Sequence, residues 1–448
     1  MEILVVGTGA REHALVRALA ADPAVTGLHA APGNPGIGEL ATLHQVDPLD
    51  PVAVAALATR LGVDLVVVGP EAPLVAGVAD AVRAAGIAVF GPSAAAAQLE
   101  GSKAFAKEVM AAAGVPTADS RTCTTIEQVA AALAEFGAPH VVKEDGLAAG
   151  KGVVVTDDAD AALEHARACL ARPGGSVVVE DYLDGPEVSL FVLSDGTDVV
   201  PLVPAQDFKR IFDGDAGPNT GGMGAYSPLP WAPDGLVDEV VETVAKPTIA
   251  EMARRGTPFS GVLYCGLAMT SRGMRVVEFN ARFGDPETQV VLARLRTPLA
   301  GLLTACATGS LRAFGPLTWD DGAAVTVVIA SAGYPARARS GDRLTGVAQA
   351  GALPGVHVLH AGTALRDDVL VSAGGRVLTV VGTGPTLSAA RETAYRGVDR
   401  IGLDGGQHRG DIAERAAQRA DDPQADEPRA EHQHDEHQLA GDAQAGAR

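Results

Sequence analysis

The run Lys143-Glu144-Asp145-Gly146-Leu147-Ala148-Ala149-Gly150-Lys151-Gly152 is built for phosphate chemistry. Glycines let a backbone approach a phosphate closely, and Lys151 supplies a point charge. It is not a Walker A loop, which needs four residues between its glycines, Ser or Thr after the lysine, and a helix next. Here three residues intervene, Gly152 follows the lysine, and a β-branched run comes next. The pattern fits a hairpin covering a triphosphate. A second constellation is Val276–Asn280, read as a strand on which Val276, Glu278 and Asn280 share one face. Two hard oxygen donors at i and i+2 suit Mg²⁺ bridging nucleotide phosphates. Arg282, Asp285 and Glu287 follow in a Gly/Pro loop. A third is Gly7-x-Gly9, between a strand and a helix. Glu12 stands where a dinucleotide fingerprint needs its third glycine, which disfavours a pyrophosphate there. The helix start after Gly9 can still accept a single phosphate.

Lysine usage points to the same segments. Of 35 basic residues only six are lysine, leaving 35 − 6 = 29 arginines. Lys103, Lys143, Lys151 and Lys209 all fall in motif segments, where a compact ammonium suits a phosphate cradle. His13, His360 and His408 read as polar loop residues rather than ligands, and His432-x-His434 lies in a tail. No nucleophile elbow, HExxH helix or EF-hand loop is present, so the chemistry needs no protein nucleophile.

These residues require elements to hold them. In the first hundred residues, β-branched runs (Ile3–Val6, Gly27–Ala31, Leu65–Val68, Ile87–Phe90) alternate with helical stretches (His13–Ala21, Pro51–Leu61, Val75–Ala85). That alternation predicts a parallel, doubly wound sheet with ligands at the strands' carboxyl ends. Gly101–Ala113 and a capped helix from Thr125-x-x-Gln128 to Phe136 follow. Short strands at Val141–Lys143, Val153–Thr156, Val177–Tyr182, Val188–Leu193 and Val199–Val203 predict one small antiparallel unit. Beyond the loop-rich segment Gln206–Pro230 we read a helix (Val237–Arg254), strands Gly261–Met269 and Arg275–Asn280, and a helix near Thr288. From Ala323 to Val381 the chain is strand-like, then helical at Ser388–Ile401. Asp421–Arg448 has eight acidic residues, two basic ones and one Leu, and is expected to be disordered.

The 448 residues are 47% hydrophobic with a net charge of −20. That excludes a basic nucleic-acid surface but not small anionic ligands, which local groups bind. Cys123, Cys169, Cys265 and Cys306 are too dispersed for a CxxC pair or disulfide framework. The opening MEILVVGTGA reads as strand and turn rather than a leader, and no run of 18 apolar residues appears. A cytoplasmic, multidomain α/β and α+β protein is expected, acting without nucleic acid or membrane.

The motifs VVGTGAREHAL, APGN, VGPEAPL, FGPSAAAAQLEGSKAFAKE, DGLAAGKGV, GPNTGGMGAYSP and VEFNARFGDPETQ, in this order, resemble the phosphoribosylamine–glycine ligase (glycinamide ribonucleotide synthetase) family of the ATP-grasp superfamily. The resemblance runs from Met1 to about Ala417. It implies a preATP-grasp domain (1–101), an ATP-grasp core (102–322) with a mobile lid at about 121–189, and a β-rich C-terminal domain (323–420). It also implies an ATP-dependent ligase of purine biosynthesis, joining glycine to phosphoribosylamine through an acyl phosphate, with Mg²⁺ or Mn²⁺, as a monomer. Carried over residue by residue, Lys103, Lys143 and Lys151 hold phosphates with Gly146, Gly150 and Gly152. Glu180, Tyr182, Leu183 and Glu187 line the adenosine slot. Glu278 and Asn280 hold the metal. Arg282 pairs with the glycine carboxylate. Asp207, Lys209 and Asn219-Thr220-Gly221-Gly222-Met223-Gly224 close over the reacting groups. Gly9, Arg11, Glu12, Asn34 and Glu71 take the phosphoribosyl end. Two departures stand out: Glu144 where the family usually has Ala, and Gly410 and Ala413 where it favours a larger residue and Gly. The second is expected to touch only C-terminal docking. Rival readings are another ATP-grasp carboxylate–amine ligase, an NAD-linked oxidoreductase, and a non-catalytic nucleotide-sensing module.

Overall fold

Five short strands pair in parallel to form the first sheet, in the order Thr42–Leu43, Gly27–Pro32, Glu2–Gly7, Leu65–Val68, Ala88–Phe90. The computed structural model describes residues 1–147 and 152–421. Gly150, Lys151 and the segment from 422 onward lie outside the described residues. The first helix spans Ala10–Ala20, three residues earlier than read, because Gly9 serves as its N-cap. The stretch read as one helix over Val75–Ala85 is two, Glu71–Val75 and Val78–Ala84. Gly77, at φ +91°, breaks it in the left-handed region that a continuing helix cannot use.

The second unit is an antiparallel sheet in the order Ser120–Cys123, Val177–Glu180, His140–Glu144, Val153–Thr156. Helices Ile126–Phe136 and Ala159–Leu170 cover one face around Val129, Leu133, Val142, Ala166 and Val179. The Thr125–Gln128 capping box forms as read. Helix Ala159–Leu170 went unread, although Asp158 caps it through the N–H groups of Asp160 and Ala161.

Strands Glu187–Asp195 and Val199–Pro201 do not belong to that unit, contrary to the sequence reading. They join Ser260–Thr270 and Gly273–Asn280 in a separate antiparallel sheet. The chain leaves the small sheet at Glu180 and turns at Gly185 (φ +84°), where a Cβ would lie 2.0 Å from the Met269 carbonyl oxygen. The Met269 N–H donates to the Pro186 carbonyl, so the next strand is delivered onto the larger sheet.

The third large sheet runs Gln206–Asp207, Gly224–Ser227, Ala323–Ala330, Arg376–Gly384, Val356–His360. Helix Leu387–Val398 packs on it. Two of its strands precede residue 322, so the sheet itself crosses that position. Helix Leu299–Thr308 also went unread. The helix read at Val237–Arg254 contains a π turn at Val241–Ala245 just before Pro247, which has no N–H for the regular ladder. The final helix, Glu414–Asp421, moves the tail boundary: Asp421 is helical and accepts a hydrogen bond from Ser388 Oγ at 2.5 Å. Among the described residues no helix is long and apolar enough to cross a membrane.

Candidate active site

At the carboxyl end of the parallel sheet, Glu12 is 1% exposed. Its carboxylate accepts from the Gly9 N–H at 2.6 Å and from Arg11 Nε at 2.6 Å. A Cβ on Gly69 would lie 2.1 Å from Glu12 Oε1, and one on Gly7 2.6 Å from Glu12 Cγ. Glu12 thus fills a glycine cradle with its own carboxylate and takes up the N–H of the N-cap Gly9. Asn34 is held nearby: Nδ2 donates to the carbonyls of Thr8 and His360 at 2.8 Å, and Oδ1 accepts from the Ile37 N–H. Arg11 and Glu71 remain on the cleft.

The cleft comprises a cavity of about 330 Å³ and an adjoining one of about 950 Å³, which share Lys143, Glu180, Asp207, Lys209 and Glu278 in their walls. It lies between the small antiparallel sheet and the larger one. Strand alternation points Val141 and Lys143 into it, while Val142 enters the core and Glu144 pairs with Arg172 on the opposite side. Lys143 Nζ is 2.9 Å from Glu180 Oε2 and donates to the Val277 carbonyl at 3.1 Å. Lys107 Nζ is 3.3 Å from the other oxygen, Glu180 Oε1. Glu180, read as an adenosine contact, lines both cavities and also bridges two buried lysines. Burial would lower the Lys143 pKa, but Glu180 and Glu278 outweigh it and hold the ammonium charged. Lys107 is pushed down to about 8 by burial, with Glu180 opposing. Lys103 Nζ donates to the Gly146 carbonyl at 3.0 Å.

Glu278 and Asn280 project into the cavity side by side, with Asn280 Nδ2 3.4 Å from Glu278 Oε1. Val276 does not share their face. The register passes from Leu267–Val276 to Gly266–Glu278, leaving Val277 as the extra residue of a β-bulge. The bulge reverses the alternation, so Val276 is fully buried in the core while Glu278 turns to the cleft. Burial raises the Glu278 pKa, yet Lys209, Lys143 and Lys103 together hold it below the ordinary carboxylate range. An ionised carboxylate beside an amide oxygen is a hard-oxygen pair that fits Mg²⁺ with phosphates as its other ligands. Among the described residues no cluster of three or more His, Cys, Asp or Glu side chains could hold a metal alone.

Arg282 is clamped by two carboxylates, Glu71 at 3.2 Å and Glu100 at 2.9 Å, and also donates to Asn280 Oδ1 and the Phe283 carbonyl. Glu100 accepts the Ala281 N–H at 2.8 Å, and burial, opposed by Arg282, pushes its pKa up to about 7. Lys209 Nζ lies 2.9 Å from both oxygens of Asp207 and 3.1 Å from Glu187. Burial pushes Asp207 up to about 7, while Asp207 and Glu187 overcome burial to keep Lys209 protonated. Thr220 Oγ1 and N–H both donate to the Lys209 carbonyl, fixing that turn. Tyr264 and Ser189 both contact Glu287 Oε1, at 2.9 and 3.1 Å.

Tyr182, Leu183, Glu187 and Asn219 line the larger cavity; Thr220 and Gly221 line the smaller. Gly146 and Gly152 border the smaller cavity as well. Gly222, Met223 and Gly224 do not face it. Met223 is buried among Ile211, Val328 and Ala330, and Gly224 pairs with Val327 in the third sheet. The sequence reading missed Glu100, Lys107, Tyr264 and Arg376. Lys107 and Glu100 sat inside a quoted motif and were recoverable as buried charges near Lys103. Arg376, which pairs with Asp285 at 2.9 Å, comes from a distant strand and carried no motif signal. The closing segment also reaches beyond docking, because Arg409, Asp411 and Ala413 line the larger cavity. Ala413 has φ +61°, the left-handed region where glycine carries no Cβ penalty.

Residues 1–100, 101–288 and 324–415 match the family models of the N domain, the ATP-grasp (A) domain and the C domain of phosphoribosylglycinamide synthetase. The phosphoribosylamine–glycine ligase of Streptomyces coelicolor is 69% identical over 419 residues, covering 93% of this chain and 100% of that protein. That of Mycobacterium tuberculosis is 58% identical over 424 residues, covering 93% and 99%. The crystal structure of the phosphoribosylamine–glycine ligase from Thermotoga maritima superposes with a TM-score of 0.80 at 30% identity, over 92% of this chain and 100% of that one. The biotin carboxylase domain of Hydrogenobacter thermophilus 2-oxoglutarate carboxylase shares the fold, with a TM-score of 0.67 at 17% identity over 91% of each chain. On its three successive domains and its near full-length relatives, the chain belongs to the phosphoribosylglycinamide synthetase family, the phosphoribosylamine–glycine ligases of the ATP-grasp type.

Proposed function

We propose that this chain joins glycine to 5-phosphoribosylamine at the expense of ATP, giving glycinamide ribonucleotide, ADP and phosphate through glycyl phosphate. The supporting observation is the convergence of Lys103, Lys143, Lys209, Glu278, Asn280 and Arg282 on one cleft between two sheets. Glycine's carboxylate is a poor electrophile, and transfer of the γ-phosphoryl makes it a good one. Such transfer is governed by positioning and charge neutralisation. Lys103 and Lys143 take the phosphates, and Tyr182, Leu183 and Glu187 flank the adenosine. Glu278 and Asn280 would hold Mg²⁺ or Mn²⁺, which when bound neutralises phosphate charge. Arg282 takes the glycine carboxylate by exchanging two of its longer contacts, 3.2 Å to Glu71 and 3.3 Å to the Phe283 carbonyl. Asp207, Lys209, Thr220 and Gly221 cover the reacting groups and exclude water, which would hydrolyse an acyl phosphate. Arg11 and Glu71 receive the phosphoribosyl end. The enzyme acts in the cytoplasm as a monomer on these three small molecules.

The test is a product assay with ATP, glycine and freshly made phosphoribosylamine, read by mass analysis. One ADP and one phosphate should appear per amide formed. AMP and pyrophosphate as products would refute the acyl-phosphate route.

A further inference from the structure

Arg409 is the largest fully buried side chain among the described residues, and a buried guanidinium must have its donors filled. Nε and Nη2 form a fork on Asp411 at 2.7 and 2.6 Å. Nη1 donates to Asp215 at 2.7 Å and to the Arg210 carbonyl at 3.2 Å. The guanidinium carbon lies 4.8 Å from the centre of the Phe208 ring. The backbone around this contact is cross-tied: the Gly410 N–H donates to Asp213 and the Gly214 N–H donates to Asp411, each at 2.8 Å.

The segment is anchored from behind as well. Arg391, on helix Leu387–Val398, donates to the carbonyls of Gly410 and Ile412 at 2.6 and 3.0 Å. The Tyr395 hydroxyl donates to the Arg409 carbonyl at 2.8 Å. One end of this chain of contacts is a helix of the C-terminal sheet. The other is Phe208, which borders only the larger cavity, between Asp207 and Lys209, which line the smaller one as well. The Phe208 N–H donates to the Gly224 carbonyl, and its own carbonyl accepts from Met223, so the backbone there is extended and paired. Neighbours in such a segment project to opposite sides, so the seat of Phe208 on Arg409 fixes where Asp207 and Lys209 point.

We propose that Arg409 is a positioning residue for the active site, stacking on Phe208 and tying down the Arg210–Asp215 turn so that Lys209 and Asp207 are held over the cleft. The proposal rests on the reading that Asp207 and Lys209 face the reacting groups. A lysine cannot supply the planar fork and the stacked face together, so Arg409→Lys keeps the charge and removes the clamp.

The test combines hydrogen exchange with kinetics on the full chain. In Arg409→Lys, amide exchange across 206–220 should rise at least tenfold, while the strand Glu2–Gly7 is unchanged. The kcat should fall at least tenfold with the KM for ATP within threefold of wild type. Phe208→Leu leaves every Arg409 ion pair intact and should give the same kcat loss. The double variant should be no worse than Arg409→Lys alone, since that substitution already removes the stack on Phe208. Arg339→Ala, which removes ion pairs to Asp342 and Asp404 elsewhere in the C-terminal region, should leave kcat unchanged. Unchanged exchange across 206–220, a kcat within twofold of wild type, or additive losses in the double variant would overturn the proposal. If Arg409→Lys fails to fold, Phe208→Leu alone decides by the same two readouts. If wild type makes no glycinamide ribonucleotide, the functional reading falls, and exchange alone decides the clamp.

Discussion

Replacing Glu180 by glutamine removes the charge shared by two buried lysines while keeping the shape. The two contacts, 2.9 Å to Lys143 and 3.3 Å to Lys107, each correspond to about 5–6 kcal/mol of gross attraction at an effective dielectric of ~20. Most of that offsets desolvation in the intact bridge. Once the carboxylate is gone, the lysines keep their desolvation cost and face each other, and breaking a buried pair costs about 3–5 kcal/mol. The glutamine amide adds a donor opposite one ammonium. With roughly 420 residues melting together, that cost corresponds to a fall of about 3–6 °C in Tm. The deficit should depend on pH with a definite sign. Lys107 is already pushed down to about 8 by burial, and the variant drives it lower still. Below the variant's pKa the folded state carries the full penalty. As pH rises toward and past about 8, Lys107 is neutral in both proteins and its share of the deficit disappears. ADP supplies the missing negative charge, so it should stabilise the variant more than wild type. The assay is calorimetric melting at pH 6 and pH 9, with and without ADP. A Tm at pH 6 within 1 °C of wild type and an equal response to ADP would refute the bridge as described.

Glu278→Gln should lower turnover roughly tenfold or more at limiting Mg²⁺, with partial recovery as Mg²⁺ is raised; full activity at limiting Mg²⁺ would remove Glu278 from metal binding. Gly69→Ala places a methyl 2.1 Å from Glu12 Oε1, and displacing that buried carboxylate should cost at least ~2 kcal/mol in chemical denaturation. His13 and His360 meet at the junction of the first helix and the C-terminal sheet, where the His13 Nδ1 accepts from the His360 N–H. Burial pushes their pKa values down to about 3 and 4, with each other's charge and Arg17 adding to the effect at His13. The unfolded chain therefore binds more protons below about 6.5, and stability should fall by about 2 kcal/mol per histidine by pH 5. Melting of His13→Gln should show a shallower decline between pH 7 and pH 5.

Much of the molecule is legible in local pattern because its determinants are local. Pro51–Leu61 was bounded to the residue by an Asp50 cap, a proline at its start and Gly62 at its end. The parallel sheet follows from strand–helix alternation, since period and turn chemistry act over a few residues. The glycine run after Lys143, the Glu278–Asn280 pair and Arg282 stand out in the sequence because clustered glycines, paired oxygen donors and a rare lysine in an arginine-rich chain are local features. Other features depended on what comes to lie beside what. Glu12 could be seen to block a dinucleotide, but only the fold shows its carboxylate packed against Gly7, Gly9 and Gly69. The shared face assigned to Val276 and Glu278 followed from ideal alternation; one extra residue at Val277, set by pairing with a partner strand, reversed it. Strands 187–195 and 199–201 kept their type but changed sheet, because partner choice is decided by contacts across some seventy positions of chain. Arg376 and Arg409 reach the cleft from the far end of the sequence for the same reason. Periodicity and capping fix an element from its own residues. The environment of a charge, and hence whether it binds, plugs or positions, is fixed by neighbours that only the folded chain brings together.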